Sequence, residues 1–420
     1  MQLHPRVKSL KPSATLAINE RSAELVAAGQ RVYRLGFGQS PFPVPAEVVK
    51  ALQDHAHRKD YLPVRGLPEL RAAVATFNRR TQGIACAADQ VLIGPGSKEL
   101  IYDLLLATDA DLLLPSPSWV SYEPQARLAN KAVHWIDTHQ SDAWQLTPAA
   151  LEQACQNHAG TSKVLILNYP NNPTGVSYTG EQLAALAAVA RQYGVLIVAD
   201  EIYGEVDHTG QHRSLARYYP EGTIVSSGLS KWCGAGGWRL GTFTFPREYL
   251  WLLDAMATIA SETFTSVSAP IQWAAVTAYQ GSPETVTYVA HSRRILAAVA
   301  NYTYLQLQAL HLQMPPAAGG FYLFPDFEHY RKPLAARGIT TSVDLCEQLL
   351  TESGVALLPG VAFGRPATEL TARLSFVDFN GEQLLHQVAA QPEEPLDGAW
   401  VAAHCPNLAA AMVALKGWLG

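Results

Sequence analysis

The sequence is poor in basic residues, in cysteine and in long apolar runs, and each scarcity removes a class of function. Lysine and arginine number 31 against 36 acidic residues, a formal net charge of −5. No basic field is therefore present to draw in nucleic acid or an anionic membrane surface. The five cysteines (Cys86, Cys155, Cys233, Cys346, Cys405) are scattered, without CxxC or His/Cys spacing. That excludes a zinc-site signature and a disulfide framework, leaves no metal expected, and reads as reduced thiols of a cytoplasmic protein. No run approaches the roughly 18 apolar residues that span a bilayer. The opening MQLHPRVKSLKPSAT has no apolar core of a secretory signal, so a soluble, unexported protein is expected. The partner left by these exclusions is a small molecule.

What is present is enough to build more than one core. A chain of 420 residues with 48% hydrophobic content exceeds one core's usual size, which predicts a large domain with a smaller companion. We place the large domain at 46–305 and form the small one from 1–45 and 306–420. From Ala46 onward helical and strand periods alternate: strands at Gln90 to Ile93, Asp111 to Leu114, Ala132 to Ile136, Lys163 to Leu167 and Val195 to Ala199 are separated by helical segments. Alternation of this kind predicts an α/β fold, a mostly parallel sheet flanked by helices. The C-terminal part, with GGFYLF at Gly319 to Phe324 and strands near Val355 to Leu358 and Ala372 to Phe376, reads as an α+β unit. The N-terminal helix Ala14 to Ala28 and strand Arg31 to Leu35 are expected to complete it. The Pro-rich acidic stretch AAQPEEPLDGAWVAAHC reads as a surface loop.

Ligands of such sheets sit at the carboxyl ends of the strands. Five predicted strand exits carry polar or glycine-rich segments: GPGSKEL, PSPSW, NYPNNPTG, DEIY and SSGLSK. The last opens SSGLSKWCGAGGWRLG (Ser226 to Gly241), in which Lys231 precedes Arg239 by eight residues. An amine and a guanidinium on one glycine-rich loop suit a cofactor with a carbonyl carbon and a phosphate, and pyridoxal 5′-phosphate is the common one. Lys231 is then the lysine that forms a Schiff base with it.

The other exits supply matching groups, each with an ordinary structural alternative. Gly96, Ser97 and Lys98 open a helix and offer backbone N–H groups to a phosphate, or Ser97 is simply its N-cap. Asp200, ending the apolar run VLIVA, suits a pyridine nitrogen, or caps the next turn. Tyr203 and Asn172 suit the ring's phenolic oxygen, although Asn-Asn-Pro is also a turn signal. Trp119 stacks on the ring or belongs to the core. Arg373, in ARLSF, needs an anion, either a substrate carboxylate or a structural partner.

With these residues assembled, the chain resembles the class I/II aminotransferases of fold type I, the family that includes aspartate aminotransferase. The likeness runs from about Val32 to Val377 and rests on NNPTG, DEIY and the lysine–arginine spacing of the glycine loop. It implies that Lys231 is the Schiff-base lysine and the proton shuttle. It also implies that Arg239 with Gly96, Ser97 and Lys98 binds phosphate, that Asp200 meets the pyridine nitrogen, and that Tyr203 and Asn172 meet the phenolic oxygen. Gly38, Trp119, Asn172, Lys98 and Arg373 are the substrate-side residues it implies, with Arg373 on the α-carboxylate. Tyr61, in YLPVRGLPEL, resembles the tyrosine that reaches the neighbouring subunit's phosphate, which implies a homodimer with shared active sites. The family often has a serine three residues before the lysine; Gly228 stands there, so Ser226, Ser227 or Ser230 must replace it.

The predicted function is ping-pong transfer of an amino group between an L-amino acid and a 2-oxo acid. Lys98 favours an aspartate-like dicarboxylic substrate, whereas Phe37, Trp119 and Tyr122 also suit an aromatic one. Lyase or decarboxylase chemistry on the same cofactor is the alternative. From other classes, GPGSKE leaves a nicotinamide-dependent oxidoreductase, with an incomplete GxGxxG, or a non-catalytic aminotransferase-like module.

Overall fold

The computed structural model describes residues 2–8, 10 and 14–420. Parts of the N-terminal stretch read for a signal (Met1, Ser9 and 11–13) lie outside the described residues. Seven strands form the main sheet: β1 (Val91–Gly94), β2 (Asp111–Ser116), β3 (Val133–Asp137), β4 (Lys163–Asn168), β5 (Leu196–Asp200), β6 (Thr223–Gly228) and β7 (Gly241–Thr244). Their order is β1-β7-β6-β5-β4-β2-β3. Strand β7 is antiparallel to both neighbours, and the other pairs are parallel. Because its two reversals cancel, β1 points the same way as β2 to β6. All five predicted exits therefore open on one edge of the sheet.

The strands read as apolar runs because both faces are covered. On one face Leu112, Leu114, Val164, Ile166, Leu196 and Val198 join Leu100, Leu104, Leu252 and Met256 of helices Ser97–Ala107 and Leu250–Glu262. Their alternate neighbours Leu113, Leu165, Leu167 and Ile197 meet Leu151, Leu183 and Leu186 of helices Pro148–Asn157 and Gly180–Gln192 on the other. The helix Gly180–Gln192 begins at a reciprocal cap. Thr179 accepts from the Gln182 N–H at 3.2 Å, and the Gln182 side chain answers at 2.8 Å, a reciprocal cap contributing about 1 kcal/mol.

A second, antiparallel sheet has the order β8-β10-β9, from β8 (Tyr322–Leu323), β9 (Leu358–Pro359) and β10 (Ala372–Ser375). The strand predicted at Arg31 to Leu35 contracts to an isolated parallel bridge between Tyr33 and Val355, with Leu35 O accepting from Ser375 N at 2.7 Å. The preceding helix, Ala14–Ala27, packs Leu25 against Leu350 and Ala356. The N-terminal segment thus does lie on the C-terminal α+β region.

One expectation is corrected. The stretch read as a surface loop before the last helix contains a helix, Gly398–His404, between Gly381–Ala390 and Pro406–Leu419. Asp397 caps it by accepting from Trp400 N at 2.9 Å, and Trp400 and Val401 are buried in the core that includes Pro283–Ala309. The prolines and acids end at Asp397, and the apolar turn behind them decides the structure. No single helix among the described residues is long and apolar enough to cross a membrane.

Candidate active site

The strand exits enclose a cavity of about 650 Å³. Asp200 terminates β5 and is 2% exposed. Its Oδ2 accepts from the Tyr122 hydroxyl at 2.5 Å and its Oδ1 from the Ser226 hydroxyl at 3.2 Å. Burial pushes its carboxyl pKa up, against the pull of those donors, the Ile202 N–H and the Lys231 charge. Asn168, ending β4, fixes the strand end by donating Nδ2 to Asp200 O at 2.8 Å. A hydrogen-bonded carboxylate so held suits a cationic ring nitrogen.

Lys231 lies on the loop between β6 and β7. Its Nζ donates to Gly38 O at 3.1 Å and stands 5.4 Å from the Tyr203 ring centroid. Removal from water lowers its pKa first, and Arg373 and Arg239 lower it further, while Tyr322 and Asp200 act in the opposite direction. The net fall enlarges the neutral, nucleophilic fraction near neutral pH.

On the same loop Arg239 adopts φ 55° and donates to Gly236 O at 3.0 Å and Pro95 O at 3.2 Å. This brings it against the start of helix Ser97–Ala107, whose N-cap is Gly96 at φ 96°. The conformation requires glycine, and a Cβ at Gly96 would lie 2.3 Å from Arg239 Nη2 and displace the guanidinium. Gly96 being the cap, Ser97 is the first helical residue and lines the cavity instead of capping. A helix N-terminus, a hydroxyl and a guanidinium together form an anion site. At Gly228 a Cβ would meet Leu240 O at 2.7 Å, leaving no room for serine. Ser226 is committed to Asp200, and of the three candidate serines Ser230 lines the cavity.

Arg373, on β10, is 2% exposed. It donates to Asn172 Oδ1 at 3.0 Å and to Gly36 O at 2.7 Å, with Tyr322 and Phe363 ring centroids at 4.5 and 5.2 Å. Its Nε has no partner, and no carboxylate pairs with it among the described residues. Burial accordingly lowers its pKa. The structural ion-pair reading of Arg373 is thus not what the fold shows; a buried guanidinium waits for an anion. Four cationic side chains (Lys98, Lys231, Arg239, Arg373) and one carboxylate, Asp200, line the cavity. Such a balance accepts a ligand with several negative charges.

The family model for aminotransferase class I and II matches residues 30–388. The chain belongs to this aminotransferase family. It is 35% identical over 376 residues to the aspartate aminotransferase of Geobacillus stearothermophilus, covering 87% of this chain and 93% of that one. To the aspartate/prephenate aminotransferase of Thermus thermophilus it is 32% identical, covering 86% and 91%. The aspartate aminotransferase of Thermus thermophilus solved with maleate superposes with a TM-score of 0.83 at 31% identity, covering 93% and 99%. Membership sets aside the oxidoreductase and non-catalytic readings, and it implies pyridoxal 5′-phosphate. The glycine turn that suggested a dinucleotide instead makes room for Arg239.

Of the aminotransferase residues expected from sequence, Gly38, Ser97, Lys98, Trp119, Asn172, Asp200, Tyr203, Lys231, Arg239 and Arg373 line the cavity. Gly96 lies directly behind, against Arg239. Tyr61 does not join them and is 89% exposed. Tyr122, expected as an aromatic wall, lines the cavity but commits its hydroxyl to Asp200. Sequence reasoning missed Asn168 and Tyr322 as wall residues. Asn168 ends an apolar strand directly before the YPNNPTG turn, a polar strand-end signal like that of Asp200. Tyr322 carried no signal, since GGFYLF reads as strand.

Proposed function

We propose that this aminotransferase holds pyridoxal 5′-phosphate in the cavity and exchanges amino groups between an aspartate-type dicarboxylic amino acid and a 2-oxo acid. The excess of cations over carboxylates in the wall carries the reading. A phosphate and two substrate carboxylates supply charge of the opposite sign. Lys231 Nζ would hold the cofactor's aldehyde carbon, Asp200 its pyridine nitrogen, and Tyr203 and Asn172 its phenolic oxygen. With Asn172 Oδ1 taken by Arg373, Nδ2 is the atom free to donate. The helix start at Gly96, Ser97, Ser230 and Arg239 would bind the phosphate, and Trp119 would cover the ring. When bound, the cofactor supplies an electron sink for charge developing at the substrate Cα.

This chain's residues do the remainder. Arg373 takes the α-carboxylate and so orients the Cα–H bond toward Lys231. Lys231 Nζ, neutral at the fraction its lowered pKa allows, is the base that would accept the Cα proton and hold it for return. Asp200 keeps a negative charge beside the ring nitrogen throughout. A 2-oxo acid then occupies the same anion sites for the reverse passage.

Lys98 is assigned to the distal carboxylate. Its Nζ stands 5.0 Å from the Trp119 ring centroid and pairs with no carboxylate among the described residues. Desolvation, then Arg239 and Lys231, lower its pKa, a load that an incoming carboxylate relieves. The names of the similar proteins, and maleate, itself a four-carbon dicarboxylate, agree with this. In Lys98→Ala, kcat/KM for aspartate with 2-oxoglutarate is expected to fall about 10- to 100-fold, with phenylalanine and alanine turnover nearly unchanged. Equal losses on all three amino acids would instead make Lys98 a cofactor ligand.

The solvent-facing Tyr61 is assigned to the phosphate site of a second copy. Sedimentation is expected to report a dimer of the 45.6 kDa chain, and Tyr61→Ala to weaken cofactor retention about tenfold. A fully active monomer would remove this part of the assignment.

A further inference from the structure

We propose that the Tyr322 hydroxyl is a positioning group that turns the Tyr203 proton toward the cofactor site. The inference rests on the cofactor reading given above. Tyr322 belongs to β8 of the small sheet, yet its side chain reaches the main cavity. Its oxygen lies 2.9 Å from the Tyr203 oxygen and 3.4 Å from Gly38 O. Gly38 has no side chain to intervene: a Cβ there would sit 1.9 Å from the Tyr322 hydroxyl. Both tyrosines are buried, so their protons have few acceptors to choose from.

Each hydroxyl carries one proton, and two arrangements exist. In the first, Tyr203 donates to Tyr322 and Tyr322 to Gly38 O, which leaves no tyrosine proton for the cavity. In the second, Tyr322 donates to Tyr203, and the Tyr203 proton points into the cavity. The distances decide between them. At 3.4 Å the Gly38 contact is long for O–H···O, whereas 2.9 Å is an ordinary bond. The second arrangement prevails, and accepting a bond makes Tyr203 a stronger donor in turn. Tyr322 therefore stabilises the ionised phenolic oxygen of the cofactor through Tyr203, without touching it.

The ring has a separate task. It lies under the Arg373 guanidinium, and phenylalanine would keep that face. The test uses the holoenzyme and the pH titration of its visible absorption band. In Tyr322→Phe the titration is expected to move to higher pH by about threefold to tenfold in proton affinity, with the KM for the amino acid within about twofold of native. In a Tyr203→Phe background the same substitution should leave the titration in place. Tyr322→Leu, which removes the ring as well, should raise KM. An unmoved titration in Tyr322→Phe, or an equal shift in both backgrounds, would overturn the proposal. A native protein with no visible band on adding the cofactor would overturn the cofactor reading, and this one with it.

Discussion

Replacing Lys231 with alanine is expected to lower kcat by at least about 10⁴-fold, the upper end of what one positioned proton-transfer group contributes. The loss combines two duties at one atom. Among the described residues Lys98 is the one other lysine lining the cavity, and its Nζ stands over the Trp119 ring and not beside Gly38 O, where Lys231 is held. The variant should bind the cofactor reversibly, through phosphate and ring contacts alone, and lose it on dialysis. Borohydride treatment followed by mass spectrometry should attach the cofactor mass to the native chain and to none of the variant. A variant that still gives the reducible adduct would sink the assignment of Lys231. Folding should survive, because the lysine head donates only to Gly38 O and its removal relieves a desolvated charge.

Asp200→Asn should cost about 10² to 10³ in kcat, the range seen when one preorganised charge partner is removed. Asparagine keeps the shape and an acceptor for either Tyr122 or Ser226, but not the charge that a protonated ring nitrogen requires. The slowing should therefore appear in kcat with little change in KM, and a cofactor analogue lacking the ring nitrogen's basicity should make native and variant alike. If Asp200→Asn retained native kcat, the carboxylate would be structural, serving only to gather Tyr122 and Ser226.

How much of this was legible in the sequence depended on the reach of each signal. Asp200 was visible because it ends the apolar run VLIVA, where a polar residue is costly without purpose, Lys231 because it precedes Arg239 by eight residues on a glycine-rich loop, and Ser97 because a glycine turn after a strand opens its helix. The parallel sheet was visible because its strands, buried on both faces, alternate with amphipathic helices. Arg239 could be placed on the loop, but its left-handed backbone and its fit against Gly96 arise from β7 returning antiparallel beside β1. Tyr322 escaped because its partners Tyr203 and Gly38 are far from it along the chain, and local pattern carries no record of such meetings. The helix at Gly398–His404 escaped for the opposite reason. Prolines just before it dominate the composition, while its burial is set by the long helix it meets.

The antiparallel return of β7 also limits how this enzyme can change. Gly228 pairs with Gly241 across β6 and β7, closing loop 229–240 into a ring of fixed circumference. A Cβ on Gly241 would lie 2.3 Å from Ser97 N, so the clasp is also pressed against the anion site. An inserted or deleted residue there would slide Lys231 against Arg239 and misalign amine and phosphate together. Point changes at Lys98, on the β1 exit, or at Phe37, on the N-terminal loop, leave that spacing intact. On the assignment of Lys98 proposed above, substrate preference is free to drift by substitution, while a change of length in the loop that carries the amine is expected to be costly.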